Sequence, residues 1–169
     1  ESPVRGWDLL ILVAVGTHIQ PFERLVRAMD QLAPGLGEEV VIQRGNTAYL
    51  PRNARSFAFA PRGEMERLTR EARIVVPHGG AGSIVYALQA GKPVVAVPRL
   101  ARYGEHINDH QVELVRVLER EGRVIGVYEI QGLKEAIEKA GKMEPRVRQR
   151  PSMGGMIRAY LQGLENEKV

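Results

Sequence analysis

Apolar runs and helical stripes alternate along most of this chain. Leu9-Leu-Ile-Leu-Val-Ala-Val15 is uninterrupted and stops at Gly16, the pattern of a strand buried on both faces. From Pro21, the residues Phe22, Leu25, Val26, Met29 and Leu32 recur at helical spacing, and Pro34-Gly35 is expected to close this first helix. Glu39 to Gln43 reads as a second strand, and Ser56 to Phe59 as a short third one after the turn-rich stretch 44–55. Met65, Leu68 and Ala72 mark a helix leading into a fourth strand, Arg73 to Val76. Ile84, Ala87 and Leu88 stripe the next helix, which ends at Gly91-Lys-Pro93, and Val94 to Val97 is again fully apolar. Ile107, Leu114, Val115 and Leu118 predict a long helix to about Glu121, Val124 to Val127 a sixth strand, and Leu133 to Ala140 another helix. Met156, Tyr160, Leu161 and Leu164 predict a terminal helix over 153–164.

Strands alternating with helices in this way predict an α/β fold: a Rossmann-like parallel sheet of about six strands with helices on both faces. At 169 residues one domain is expected, over 1–142, followed by a basic connector and a C-terminal helix over 143–169. No internal repeat or low-complexity tract interrupts it.

Composition narrows the setting. The chain has no cysteine, which excludes disulfides and cysteine-ligated metals and makes the cytoplasm the expected compartment. The longest apolar run is far short of the roughly 20 residues that span a bilayer, so the chain is not expected to cross a membrane by itself. It opens at Glu1 rather than at a methionine, as a piece of a longer polypeptide would. Twenty-four Lys and Arg against 20 Asp and Glu leave a formal charge of +4, too mild to call for nucleic acid. The surplus gathers at Lys139, Lys142, Arg146, Arg148, Arg150 and Arg158, with no aromatic residue for base stacking. That stretch reads either as a solvated connector or as a contact for anionic headgroups or an acidic partner.

In an open parallel sheet, ligands collect at the carboxyl ends of the strands. Here those ends carry Gly16-Thr17-His18, then His78-Gly79-Gly80-Ala81-Gly82-Ser83, then Pro98-Arg99 and the segment Glu105-His106-Ile107-Asn108-Asp109-His110-Gln111. A loop nearly free of side chains before a helix is a phosphate site, because backbone N–H groups and about half a positive charge converge there. It is equally the form of a ligand-free tight turn. The G-x-G-x-x-G fingerprint and the Walker lysine are both absent, which disfavours NAD and ATP hydrolysis of that type.

His18 can donate to a phosphate or take a proton, or be a surface histidine. Thr17 offers a hydroxyl or merely a cap. Asn108 and Gln111 offer amides to sugar hydroxyls, or are ordinary first-turn residues. His106 and His110, four apart at an expected helix start, have a spacing that can share a metal, but no catalytic glutamate or nearby third ligand accompanies them. With only three aspartates and no D-x-D pair, diphosphate chemistry here is expected to proceed without a metal.

Taken in order, Gly16-Thr17-His18 with Gln20-Pro21-Phe22, His78 to Ser83, Gly91-Lys92-Pro93, and Val97-Pro98-Arg99 with Gly104 to Gln111 resemble the glycosyltransferase family 28 C-terminal domain. That domain is the donor-binding half of the two-lobed GT-B glycosyltransferases. The motifs look most like the small catalytic subunits of two-component bacterial exopolysaccharide enzymes and, more distantly, the eukaryotic subunit that adds GlcNAc to a dolichol-linked sugar. The resemblance covers Leu9 to about Ala140.

It implies a UDP-sugar as donor substrate, no cofactor and no metal. The diphosphate would lie against the Gly79–Ser83 loop and the Gly16-Thr17 turn, with Arg99 among the groups stabilising the departing UDP. The hexose would lie near Glu105 to Gln111, and the uracil around Phe59 to Met65. The resemblance also implies a lipid-linked acceptor and a membrane-anchored partner subunit that supplies the acceptor lobe, with peripheral contact at the inner face of the membrane through that partner. A two-lobed enzyme would need about twice this length.

Two positions depart from the family pattern. Tyr86 stands where several relatives carry a ribose-contacting glutamate, and Ile19 where the bacterial subunits commonly have a glutamate after the histidine. The general base is therefore either His18 or a group of the partner. Competing readings are a non-catalytic nucleotide-sugar-binding module, half of a UDP-sugar epimerase, and a metallohydrolase built on His106 and His110.

Overall fold

The computed structural model describes residues 10–143 and Gly155. Its centre is β1 (Leu10–Ala14), buried at every position and paired in parallel with β2 (Glu39–Gln43) on one side and β4 (Ile74–Pro77) on the other. β3 (Arg55–Phe57) adds to β2, while β5 (Val95–Ala96) and β6 (Ile125–Gly126) pair with each other. Two isolated parallel bridges, Val75 to Val94 and His78 to Val97, join β4 to β5. The six strands therefore run in the order 3-2-1-4-5-6, as a four-stranded sheet continued by a two-stranded one.

The alternation of β1 distributes its side chains to two cores. Ile11, Val13 and Val15 pack with Phe22, Leu25 and Met29 from α1 (Glu23–Leu36) and its approach, and with Leu133 and Ile137 of α5 (Leu133–Gly141). Leu10 and Leu12 pack with Leu68 of α2 (Arg62–Glu71), Ile84 of α3 (Ala81–Gln89), and Leu114 and Leu118 of α4 (His110–Arg120). A strand covered on both faces has no polar side to show, which is why its sequence is a continuous apolar run. Among the described residues no helix is long and apolar enough to cross a membrane.

Several boundaries differ from the sequence expectation. Pro34 does not close α1. It lies in the last turn, and the helix ends at Gly37, whose φ of 68° is left-handed. Proline lacks the N–H that would bond the Asp30 carbonyl one turn back, and the side-chain amide of Asn53 reaches that carbonyl instead at 3.4 Å. The helix predicted around Ile84 already starts at Ala81, β3 ends at Phe57 rather than Phe59, and α4 starts at His110 rather than near Ile107. Ile107 consequently belongs to no helical stripe and is 79% exposed. The predicted helix over 153–164 lies outside the described residues apart from Gly155, as does most of the basic connector.

Candidate functional site

The turns after β1 and β4 meet at the carboxyl edge of the sheet. Gly16 has a φ of 80°, and a Cβ there would sit 2.6 Å from His78 Nε2. A Cβ on Gly80 would sit 2.2 Å from His78 Cε1. These two glycines thus let the backbone close around an imidazole. Gly79 is equally enclosed, by Gln111 and Pro98, whereas at Gly82 an added Cβ meets nothing within 4 Å. Of the loop's three glycines, Gly82 is the one at which a ligand can approach.

His78 is held from several sides. Its Nδ1 lies 3.1 Å from the Gly80 amide and 3.2 Å from Gln111 Nε2, and its Nε2 lies 3.1 Å from Ser83 Oγ. Burial, followed by the positive charge of Arg99, pushes its pKa down to about 4, so the ring is neutral at physiological pH. Because α3 starts at Ala81, its first intrahelical N–H bond is from Ile84 to the Gly80 carbonyl. The amides of Ala81, Gly82 and Ser83 precede that bond, and their partial positive charge marks the place for an anion.

That helix start opens on a cleft of about 380 Å³. Its walls include Gly16 and Thr17 from the first turn, Gly82, Ser83 and Tyr86 from α3, and Phe59, Ala60, Arg62 and Met65 from the stretch after β3. Arg62 is the one charged residue in that lining among the described residues. Burial, then the nearby Glu66, raises the pKa of Tyr86, so its phenol stays protonated. The mouth is shaped by Gln43, buried at the end of β2, which accepts from the Gly16 amide at 3.0 Å and donates to the carbonyls of Gly16 and Ala58, each at 2.9 Å. Sequence reasoning passed over Gln43. Its signal was a lone polar residue ending the apolar run Val40-Val41-Ile42.

An apolar-walled cleft with the start of α3 at one end is therefore on the sheet edge that the sequence pointed to, and the chain carries a family signature. Residues 10–157 match the glycosyltransferase family 28 C-terminal domain. The chain belongs to this family. The UDP-N-acetylglucosamine transferase subunit ALG13 of Mus musculus is 32% identical over 123 residues, 66% of this chain and 10% of the relative. The Homo sapiens subunit of the same name is 28% identical over 120 residues, 69% and 10% of the two chains. The chain thus spans about a tenth of the length of these curated relatives.

Among solved structures, the calicheamicin glycosyltransferase CalG4 superposes with a TM-score of 0.66 at 21% identity, over 98% of this chain and 43% of that one. The solution structure of ALG13 gives 0.58 at 18% identity, over 86% and 92%. The fold of this family 28 domain is accordingly one half of the two-lobed GT-B architecture.

Within the family 28 domain, the expected site residues separate into three groups. Gly16, Thr17, Gly82 and Ser83 line the cleft, with Ala81 as the first residue of α3. A second group is turned inward. Arg99, expected to face the departing UDP, is 1% exposed, and its guanidinium donates to the backbone carbonyls of Val15, Gln20, Pro21 and Glu105 at 2.7 to 3.4 Å. Glu105, expected near the hexose, is 3% exposed and forms a two-pronged pair with Arg24, both distances 3.0 Å, while accepting from the Leu100 amide. Gln111 accepts from the amides of Gly79 and Arg99, both at 3.0 Å, and is 8% exposed. With His78, Gly79 and Gly80 these residues form the frame behind the cleft. Most of their polar atoms are engaged within the protein, Arg99 Nε being a buried exception without a partner.

The third group is not part of the cleft lining. His18 and His106 stack with ring centroids 4.8 Å apart, His18 Nδ1 accepting from the Gln20 amide at 3.1 Å. Burial, then His18 and Arg99, lowers the pKa of His106. Asn108 forms a local turn just before Asp109, the N-cap of α4, its Oδ1 accepting from the His110 amide at 3.1 Å. His106 precedes α4 while His110 opens it, so the two histidines do not share the helix face that a metal pair at this spacing requires. Among the described residues no group of three or more His, Cys, Asp or Glu side chains is placed to hold a metal ion.

Proposed function

We propose that this domain is the donor-binding, catalytic portion of a glycosyltransferase that moves a hexose or N-acetylhexosamine from a UDP-sugar to a lipid-linked acceptor. The observation that carries the reading is the cleft itself, with apolar walls at Phe59 and Met65 for a base and the first-turn amides of α3 beside Gly82 for a diphosphate. The names of the relatives that resemble this chain support a UDP-N-acetylglucosamine donor and a partner subunit. In this reading the partner is membrane-anchored, supplies the acceptor lobe and holds the domain at the cytoplasmic face of the membrane.

In the reaction the acceptor oxygen forms a bond to the anomeric carbon, and the bond from that carbon to the β-phosphate oxygen breaks. UDP leaves with the electron pair and a base takes the hydroxyl proton. The helix dipole and N–H donors, fixed before the reaction, stabilise the charge that collects on the diphosphate, so that the domain's own groups do this without a metal. The base on this side is His18, which must release the Gln20 amide bonded to its Nδ1 before it can take the proton, unless the partner provides one.

Calorimetric titration of the domain with UDP and with UDP-sugars tests the proposal. Binding of UDP with enclosure of the base is expected, and no binding at millimolar ligand overturns it. Transfer is then assayed with the co-purified partner and several UDP-sugars. Unchanged transfer by His18→Ala would assign the base to the partner. UDP binding without any transfer would favour a nucleotide-sugar-binding module.

A further inference from the structure

Gln111, His78 and Ser83 form a chain whose hydrogen-bond polarity has one consistent assignment. The Gly79 and Arg99 amides can only donate, and both point at one end of the Gln111 carboxamide. That end is therefore the oxygen, because a flipped amide would set an NH2 against two N–H groups in a buried site. The NH2 end then faces His78 Nδ1 and must donate to it. The Gly80 amide independently donates to the same nitrogen. With Nδ1 accepting twice, the proton of the neutral imidazole is on Nε2, which is aimed at Ser83 Oγ. Ser83 Oγ accepts it, and its own proton is left for the cleft that Ser83 lines.

We propose that Gln111 is a positioning residue that orients a one-way hydrogen-bond relay through His78 to Ser83, so that Ser83 presents its hydroxyl proton to the anionic end of a ligand in the cleft. The relay rests on the reading of the cleft as a nucleoside diphosphate site. Its direction is set by two backbone amides behind the site, so no reorientation is needed when negative charge grows at the helix start. The charged and titratable groups facing His78 are Arg99, His106 and His18. Each of these, when positive, disfavours a second proton on the ring and thereby keeps the relay in its neutral form.

Long-range proton–nitrogen NMR on the full chain, which has four histidines, tests the first link. His78 is expected as the Nε2–H tautomer from about pH 5 to 8. In Gln111→Glu, one carboxylate oxygen keeps the Gly79 and Arg99 amides and the other accepts from His78 Nδ1, which becomes protonated with loss of the bond it accepted from the Gly80 amide. UDP affinity tests the second link. Ser83→Ala is expected to weaken UDP by about five- to tenfold in the wild-type background, the worth of one hydrogen bond, and by less than about twofold in Gln111→Glu. Such coupling between two side chains that do not bond each other is not produced by a merely structural Gln111.

An Nδ1–H tautomer in the wild type overturns the relay, as does strict additivity of the two substitutions. If Gln111→Glu does not fold, the wild-type tautomer and Ser83→Ala decide, and an unchanged UDP affinity in Ser83→Ala is then the overturning result. Absence of UDP binding by a wild type with the Nε2–H tautomer overturns the nucleotide reading and leaves the polarity of the chain standing.

Discussion

Arg99 and Val15 stand 84 positions apart in sequence, and the guanidinium of the first donates to the carbonyl of the second at 2.7 Å. This bond ties the loop after β5 to the end of β1. Burial lowers the Arg99 pKa to about 10, which still leaves it charged at neutral pH. A charge held this way serves four carbonyls and stacks 5.0 Å over the Phe22 ring.

Arg99→Met is therefore expected to destabilise the domain by at least about 3 kcal/mol, since it strands buried carbonyls. Urea unfolding measures it. A variant of wild-type stability that had lost UDP affinity would instead make Arg99 a ligand contact.

The loop glycines differ in what surrounds them, and alanine distinguishes them. Gly80→Ala collides with the His78 ring and is expected to cost about 2 kcal/mol or more. Gly82→Ala has open space and sits in the first turn of α3, so it is expected to leave the fold intact or stabilise it by up to about 1 kcal/mol. The same methyl occupies the approach to the cleft and should weaken UDP. Equal stability losses in thermal denaturation of both variants would contradict this division.

Neutral His78 makes the fold sensitive to acid. Its folded pKa of about 4 is below the ordinary 6.5, so the unfolded chain binds the extra proton across that interval. The stability it contributes is complete above pH 6.5 and is lost as pH falls towards 4, by about 3 kcal/mol at most. His78→Gln should flatten the dependence of unfolding free energy on pH within that window. An equally steep dependence in the variant would place its origin elsewhere.

Asp30 extends acid sensitivity to lower pH. Burial pushes its pKa up, but the Tyr49 hydroxyl at 2.6 Å, the amides of Asn53 and Arg52 and the Arg52 charge together bring it below the usual value. The stability it supplies is present above about pH 4 and disappears as pH falls through the lowered folded pKa. Asp30→Ala, which removes three donors' shared acceptor, should cost about 1–3 kcal/mol at pH 7 and much less at pH 2. Denaturant midpoints at the two pH values measure it.

The order of strands and helices was legible in the sequence because each element announces its burial locally. Seven consecutive apolar residues at 9–15, closed by Gly16, suit a strand covered on both faces, and the stripe Leu114, Val115 and Leu118 places one face of α4 against the sheet. The strand-end motifs that carry the family resemblance were legible for the same reason, being short and contiguous. Of the segments forming the cleft, 16–17 and 82–83 were on the predicted edge, and 59–65 was expected from the family resemblance.

What the sequence could not decide is which polar residues of those motifs face a ligand and which face the protein. Arg99, Glu105 and Gln111 carry the same groups as ligand-binding residues, and their neighbours in sequence look the same in either case. Their roles depend on partners 12 to 84 positions away, such as Val15 for Arg99, Arg24 for Glu105 and Gly79 for Gln111. Only the folded chain brings those partners within hydrogen-bond distance. Burial favours bonding to whatever is there, so tertiary packing made these three residues into a frame and left Gly82 and Ser83 open to the cleft.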